Sequence, residues 1–327
     1  MSHSASSKVN SSNRRILLVV VASFLAILLV AIALVATRPG SVKATSTSTS
    51  PSVKTILIVG VDSREIAAQN PTAQNKRIFP DARSIKGERA DVIIAIRTDG
   101  KSTKVMAISR DLLSFSDNGL LDRLAIQWSK SPQSLVRALC RVGRGIPVDN
   151  VVAVDYRALI RTVDAAGGFS ISTPRSIRDK KSHLNPTRVG ENVLDGEQAL
   201  AWVRARHIEE LINGKWKPKT SPESQRSVRA AAVVKSVSST SMWRWPNLAS
   251  SLPQTLSAVR LDQKFGIGSF ITLLKESPKF TDVEELNVRL RNGKIPFAYL
   301  TPKGEKQIRE FTLGDRCRAG ARNISGG

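Results

Sequence analysis

"DVIIAIRTDGKSTKVMAISRD", residues 91–111, decides the fold. Two runs rich in β-branched and apolar side chains flank Asp99-Gly100, a dipeptide suited to the tight turn of a hairpin. An antiparallel pair brings its chain back to the level at which it began. Asp91 opens one strand where Arg110 and Asp111 close its partner, so the hairpin alone predicts that Asp91 lies close to Arg110.

On the N-terminal side, "TILIVGVD" (55–62) is an apolar run ending in an acid, the pattern of a buried strand that delivers Asp62 at its C-terminal end. Residues 65–88 are polar, contain Pro71 and Pro80, and read as a loop. On the C-terminal side, "NVVAVD" (150–155) and "FSIST" (169–173) read as strands, and 131–143 and 155–168 as helices. "DGEQALAWVRAR" starts a helix with Asp195 as N-cap and Gln198 in the capping-box position. "SPESQRSVRAAAVVKSV" starts another, with Ser221 as cap and Pro222 at the first helical position. Strands alternating with helices predict an α/β domain with helices covering a sheet. This domain spans residues 55–240. Residues 241–327 carry weaker signals, with "VEELNVRL" and "PFAYL" as strands, and read as a C-terminal extension packed on the same domain.

From Ile16 to Ala36 the chain runs without a charge or a proline. At about 1.5 Å per residue such a helix spans roughly 30 Å, a bilayer core, and it is longer than the apolar stretch of a cleaved signal peptide. Residues 1–15, with Lys8, Arg14 and Arg15, then form a short cytoplasmic tail, 16–36 a transmembrane helix and 37–54 a Ser/Thr-rich spacer. A single pass places the domain outside the cell membrane. The formal net charge of +23 draws the chain to anionic partners. For an exported domain these are surface polymers and lipid head groups, with no nucleic acid among them. Cys140 and Cys317 are the only cysteines; outside the membrane they form either a disulfide that clips the tail to the body or two separate buried thiols.

Three acid and arginine pairs fall at strand ends or loops: Asp62 with Arg64, Arg89 with Asp91, and Arg110 with Asp111. Arginine suits phosphate because its planar fork donates two parallel hydrogen bonds. A carboxylate meets phosphate through a hard cation, and magnesium takes one or two protein carboxylates together with phosphate oxygens and water. Asp62 and Asp91 among these arginines therefore read as metal ligands of a diphosphate site, while the plainer reading makes each pair a local salt bridge. Arg204 and Arg206 diverge by about 200° on a continuing helix, so both reach one ligand only if the helix ends there. Arg226 and Arg229 share a helical face. The plainer reading of all four is a solvated basic surface. No G-x-S-x-G elbow, P-loop or G-x-G-x-x-G is present.

In this order, "ILIVGVDSR", "ERADVIIAIRTDGKSTKVMAISRD", "VDAAGG", "LDGEQALAWVRARH" and "ESQRSVR" resemble the LytR-CpsA-Psr (LCP) family over residues 55–240. The resemblance implies an α/β/α sandwich with a central mixed sheet and an apolar groove for a polyprenyl chain. It implies a magnesium-assisted phosphotransferase that moves a glycopolymer from a polyprenyl diphosphate carrier to peptidoglycan or another surface acceptor. Asp62 and Asp91 correspond to the metal-binding acids, and Arg89, Arg110, Arg204, Arg206 and Arg226 to the phosphate-binding arginines. Arg229 extends that set, and Arg110, Arg204, Arg206 and Arg226 are expected to carry catalysis. The chain departs from the family pattern at Ser109 (usually Pro), Glu223 (usually Asp), Ala230 (usually Gln) and Arg123-Leu124-Ala125 (usually Lys-Ile-Asn). These departures support an alternative, a non-catalytic member that binds polyprenyl diphosphate lipid or anionic polymer as a scaffold.

Overall fold

The computed structural model describes residues 42–62, 88–99, 101–219, 226–238, 255, 257–262, 264–266, 269, 283–291 and 296–318. The expected membrane span, Arg64, Ser221, Pro222 and Glu223 lie outside these residues. Among the described residues no helix is long and apolar enough to cross a membrane.

The predicted hairpin forms as β2 (Ala90–Thr98) and β3 (Thr103–Ile108), with Ile93 opposite Ile108 and Thr98 opposite Thr103. Asp99 stabilises the turn by accepting the amides of Lys101 and Ser102. β1 (Lys54–Val61) pairs antiparallel with β2 and parallel with β4 (Asn150–Asp155). β5 (Val259–Leu261) and β6 (Val283–Glu285) complete a mixed six-stranded sheet in the order β5-β4-β1-β2-β3-β6. This order brings the C-terminal ends of β1, β3 and β4 and the N-terminal end of β2 to one edge. Asp62, Asp91, Arg110 and Asp155 all belong to that edge.

Alternation along β2 sorts its side chains between two cores. Ile93 and Ala95 join a cluster with Met106 and Ile108, Leu124 and Trp128 of α1 (Leu124–Lys130), and Leu135 and Leu139 of α2 (Pro132–Cys140). Ile94 and Ile96 pack on the opposite face. There they meet Val163 of α3 (Tyr156–Ala165), Ala199 and Val203 of α4 (Gly196–Arg204), and Ala231 and Val233 of α5 (Arg226–Ser238). The protein is thus a mixed α/β structure with helices on both faces of a central mixed sheet.

The tail contributes more than the two strands expected of it. Val283–Glu285 joins the sheet beside β3, whereas Val288–Arg291 and Phe297–Leu300 pair with each other outside it, and Ala298 bridges to Leu112. α6 (Pro302–Thr312) inserts Ile308 and Phe311 into the first core, and Cys140 and Cys317 are joined in a disulfide. The expected spacer also differs from its reading. From Val42 onward it is a strap laid on the body: Val42 is fully buried, its amide donates to Leu261, and the Thr47 amide donates to Val148. Its low apolar content suggested solvation, but hydroxyls can be buried when they are hydrogen-bonded. Ser48 and Thr49 donate to Asp315, and Arg318 donates to the Ser48 carbonyl.

Candidate active site

An apolar pocket of about 110 Å³ opens at the sheet edge, walled by Ile58, Val92, Ile94, Leu159, Leu200 and Val203. Its mouth carries Asp62, Asp91, Asp155, Arg204 and Arg226. β1 bulges between Gly60 and Val61 on entering this region. Gly60 packs so tightly on β2 that a Cβ there would stand 2.8 Å from the Val92 Cβ. The Asp62 amide then donates to the Arg89 carbonyl at 3.0 Å, which places Arg89 beside Asp62.

Asp91 is the centre of charge. Arg110 forms an ion pair with one of its oxygens, as the hairpin predicts, and Arg226 approaches the other at 2.7 Å. Burial pushes the Asp91 carboxyl up, but Arg226, Arg110, Arg204 and Arg206 reverse this and hold it well below the usual carboxylate range. The same group acts on Arg226. Burial, together with the charges of Arg110, Arg206 and Arg204, outweighs Asp91 and pushes its guanidinium down to about 9, so it remains a cation at neutral pH. Arg110 moves the other way: burial disfavours its charge, yet Asp91, Asp111 and Asp62 raise it.

Each arginine reaches this point by a local device. Ser109 stands where a proline would stiffen the turn. Its carbonyl accepts the Leu112 amide and its hydroxyl the Asp111 amide, so the turn presenting Arg110 stays hydrogen-bonded. Arg123 donates to the buried Asp111 at 3.2 Å and ties the same turn to the body. α4 ends at Arg204, because Ala205 leaves the helix with φ −57° and ψ 126°. That end is the condition under which Arg204 and Arg206 can serve one ligand, and both act on Asp91. Arg226 opens α5, whose next residue is bonded to the hairpin: Ser227 accepts the Ile93 amide and donates to the Ile108 carbonyl, each at 3.2 Å.

Arg229 is placed differently from the other arginines. It is buried, and its guanidinium donates to the carbonyls of Val203 and Ala205, holding the turn that carries Arg204 and Arg206. The same turn is gripped from the other side by Asp179. Fully buried, Asp179 accepts the amides of Arg206 and His207 at 2.7 and 2.8 Å through one oxygen, and those of Lys181 and Ser182 through the other. A lone acid in a polar loop carries no pattern that would have marked Asp179, and a serine inside a helical run gives none for Ser227. Ala230 lines the apolar pocket one turn after Arg226.

For a metal, the chemistry of the donor set matters. Asp155 is committed to Arg157, from which it takes both the amide and the guanidinium. Among the described residues no group of three or more His, Cys, Asp and Glu side chains forms a cage. Asp62 and Asp91 are two hard oxygen donors at one pocket mouth, with Asp91 ion-paired to Arg110 and Arg226. This set fits magnesium, which completes its shell with phosphate oxygens and water, better than a metal that demands an all-protein cage.

Two curated relatives are similar in sequence. The polyisoprenyl-teichoic acid–peptidoglycan teichoic acid transferase TagT of Bacillus subtilis is 26% identical over 67% of this chain and 64% of its own length. The cell wall biosynthesis protein LcpA of Corynebacterium glutamicum is 26% identical over 67% of this chain and 47% of its own. The chain therefore spans less than two thirds of the length of either relative. Among solved structures, a LytR-Csp2A-Psr enzyme from Actinomyces oris is 26% identical, with a TM-score of 0.65 over 86% of this chain and 99% of that one. TagT bound to LI-WTA shares the fold at 17% identity, with a TM-score of 0.53 over 80% of this chain and 90% of that one. The sequence model of the LytR_cpsA_psr family matches residues 33–303, and with most of its length inside that match the protein belongs to the LytR-CpsA-Psr family.

Proposed function

We propose that the chain is a membrane-anchored, extracytoplasmic transferase that moves a glycopolymer from a polyprenyl diphosphate carrier to peptidoglycan or another surface acceptor, leaving a phosphodiester link. One observation carries this reading: Arg110, Arg204, Arg206 and Arg226 converge on Asp91 at the mouth of an apolar pocket. That combination matches an amphipathic ligand with an apolar tail and a compact, highly charged anionic head. The kinds of activity named for TagT and LcpA agree with it. The pocket is open to solvent, so a polyprenyl chain longer than its 110 Å³ would continue beyond it.

In the proposed step, a hydroxyl of the acceptor glycan attacks the phosphorus nearer the polymer and gives its proton to one of the carboxylates Asp62 and Asp91. The bond from that phosphorus to the bridging oxygen breaks, and polyprenyl phosphate leaves with the electron pair. Phosphoryl transfer depends on positioning and charge stabilisation more than on covalent help. Arg110 and Arg226 would exchange Asp91 for phosphate oxygens, while Arg204 and Arg206 neutralise the charge that grows on the leaving group. Asp62, together with Asp91 once freed of Arg110 and Arg226, would hold magnesium, which supplies Lewis-acid stabilisation of the diphosphate when bound. Ala230 supports the second reading, a carrier-binding protein without catalysis, because it puts a methyl group in the pocket wall beside Arg226.

The test is to purify the full chain in detergent, identify co-purified lipid by mass spectrometry, and assay transfer to peptidoglycan with and without magnesium. Transfer that requires magnesium and is lost in Asp91→Ala is expected. Lipid retained by both proteins with no transfer by either would establish the carrier-binding reading. Absence of any diphosphate lipid affinity would remove both.

A further inference from the structure

We propose that the domain docks on the bilayer surface through an exposed face built from two small strand pairs, with anionic lipid head groups as the partner. Register assembles this face. In the first pair, Leu113–Phe115 with Leu121–Arg123, Leu113 stands opposite Arg123 and Phe115 opposite Leu121. In the second, Val288–Arg291 with Phe297–Leu300, Arg289 stands opposite Tyr299 and Arg291 opposite Phe297. Leu112 and Ala298 bridge the two pairs in parallel, and both are fully buried, so they point inward together. Side chains alternate along a strand, and residues directly opposite share a face. The odd-numbered residues of all four strands therefore point outward together. Arg123 closes the seam between the pairs by donating to the Pro296 carbonyl at 3.5 Å.

The apolar part of this face is open. Phe115 is 46% exposed, Leu121 49% and Tyr299 43%, and Leu120 at the turn between the first two strands reaches 63%. Apolar side chains exposed singly are ordinary, but a contiguous set marks a surface that meets something. Phe297 and Tyr299 extend the set as an edge-to-face pair with ring centroids 5.3 Å apart. Arg289 and Arg291 border it, exposed and in no ion pair among the described residues. The neighbouring acids are already neutralised within the body: Asp122 pairs with Lys130, and Asp117 with Arg137 and Arg141. What remains is apolar surface edged by uncompensated positive charge.

That charge selects the occupant. A second copy of the face would set arginines against arginines, and a soluble polyanion would leave the leucines in water. A bilayer surface satisfies both parts: acyl chains receive Leu120 and Leu121, the aromatic rings sit at head-group level, and lipid phosphates meet the guanidiniums. Docking shares with the proposed function only its membrane location, and it deepens that reading. Leu113 lies three residues from Arg110, about 10 Å of extended chain, and Arg123 ties the intervening turn through Asp111. The face thus brings the arginine cluster towards the level at which a carrier lipid presents its diphosphate.

The test reconstitutes the full chain in phosphatidylcholine vesicles with or without phosphatidylglycerol. An environment-sensitive fluorophore is attached at Leu120→Cys or, for comparison, at Val189→Cys, a comparably exposed position elsewhere. Cys140 and Cys317 are bonded to each other and take no label. The Leu120 probe should shift to the blue and be quenched by spin-labelled lipid, more strongly with phosphatidylglycerol, while the Val189 probe does neither. Arg289→Gln and Arg291→Gln should each lower the ratio of docked to undocked domain about fivefold in the anionic vesicles. An unquenched Leu120 probe overturns the proposal, and a blue shift without quenching assigns the face to a protein partner instead. Equal quenching at Val189, or quenching indifferent to lipid charge and to both arginines, overturns it as well. A chain that does not float with vesicles removes the membrane location, and with it both readings. Quenching at Leu120 in a chain that transfers nothing keeps the docking face while the transferase reading falls.

Discussion

The two ends of β2 each carry an arginine–aspartate contact, fully buried at one end and half-buried at the other, and they are built to opposite purposes. Near the C-terminal end Arg97, 1% exposed, donates to Asp315 at 3.0 Å, to the Thr312 carbonyl and to Thr55. One guanidinium meets one carboxylate, and the pair joins β2, α6 and the strap. At the N-terminal end one carboxylate, Asp91, faces four guanidiniums at the mouth of a pocket. A matched pair completes a structure, whereas like charges gathered at an opening are costly until an anion arrives. The excess of positive charge, rather than burial or the presence of an ion pair, marks the functional end.

The largest expected effect falls at the matched end. Removing one partner of a buried pair leaves an uncompensated charge and costs about 3–5 kcal/mol. Arg97→Met should lower the urea midpoint accordingly, while the surviving folded protein binds geranylgeranyl diphosphate as the wild type does. Weakened lipid affinity in the folded fraction would erase the distinction between the two ends.

Next in size is the loss of a transition-state contact at the crowded end. Arg206→Ala should reduce kcat/KM for transfer by about 10²–10³-fold, the usual consequence of deleting one preorganised donor, with little change in the urea midpoint. Lys215→Ala, on an exposed strand edge of the same basic stretch, should change transfer by less than about twofold. Equal losses in the two variants would restore the reading of this stretch as a diffuse basic surface.

The hairpin made the core of this arrangement legible, because strand pairing is short-range and Asp99-Gly100 marks its turn. The N-cap Asp195 was legible for the same local reason. What could not be read depends on distant partners. Nothing in "AWVRAR" says that the helix stops at Arg204; the stop is held by Asp179 and Arg229, 25 residues to either side. The sequence placed Arg229 in the phosphate-binding set because it shares a helical face with Arg226, yet its guanidinium lies on carbonyls instead. β5 is only three residues long and its apolar pattern is too short to register, and the strap resembles a spacer because its burial depends on hydroxyl groups.

A smaller effect separates binding from catalysis at Asp91. In the ligand-free protein its carboxylate competes with a diphosphate for Arg110 and Arg226. Asp91→Asn should therefore tighten geranylgeranyl diphosphate binding in the absence of magnesium by roughly 10- to 150-fold, about the worth of one charged hydrogen bond. The same variant should lose magnesium-dependent transfer. Calorimetry with chelator present checks the first part. Weaker binding in the variant would mean that Asp91 organises the arginines more than it competes for them.

The smallest effect at neutral pH is the one that acid reveals. Burial opposes ionisation of Asp315, but hydrogen bonds from Arg97, Ser48 and Thr49 hold its carboxyl below the ordinary value of 3.8. A depressed carboxylate contributes stability that is fully present above its unfolded value and is lost as pH falls through its folded one. The wild type should thus show no slope from Asp315 near pH 7 and a loss of stability beginning below about pH 4. Asp315→Asn, although less stable throughout, should lose this part of the acid slope. Asp91 is depressed too and contributes its own part, but its surplus of arginines offers another outcome. Added inorganic diphosphate should stabilise the crowded end in wild type and Asp315→Asn alike, and a stabilisation that vanished with Asp315 would place the anion at the wrong end of β2.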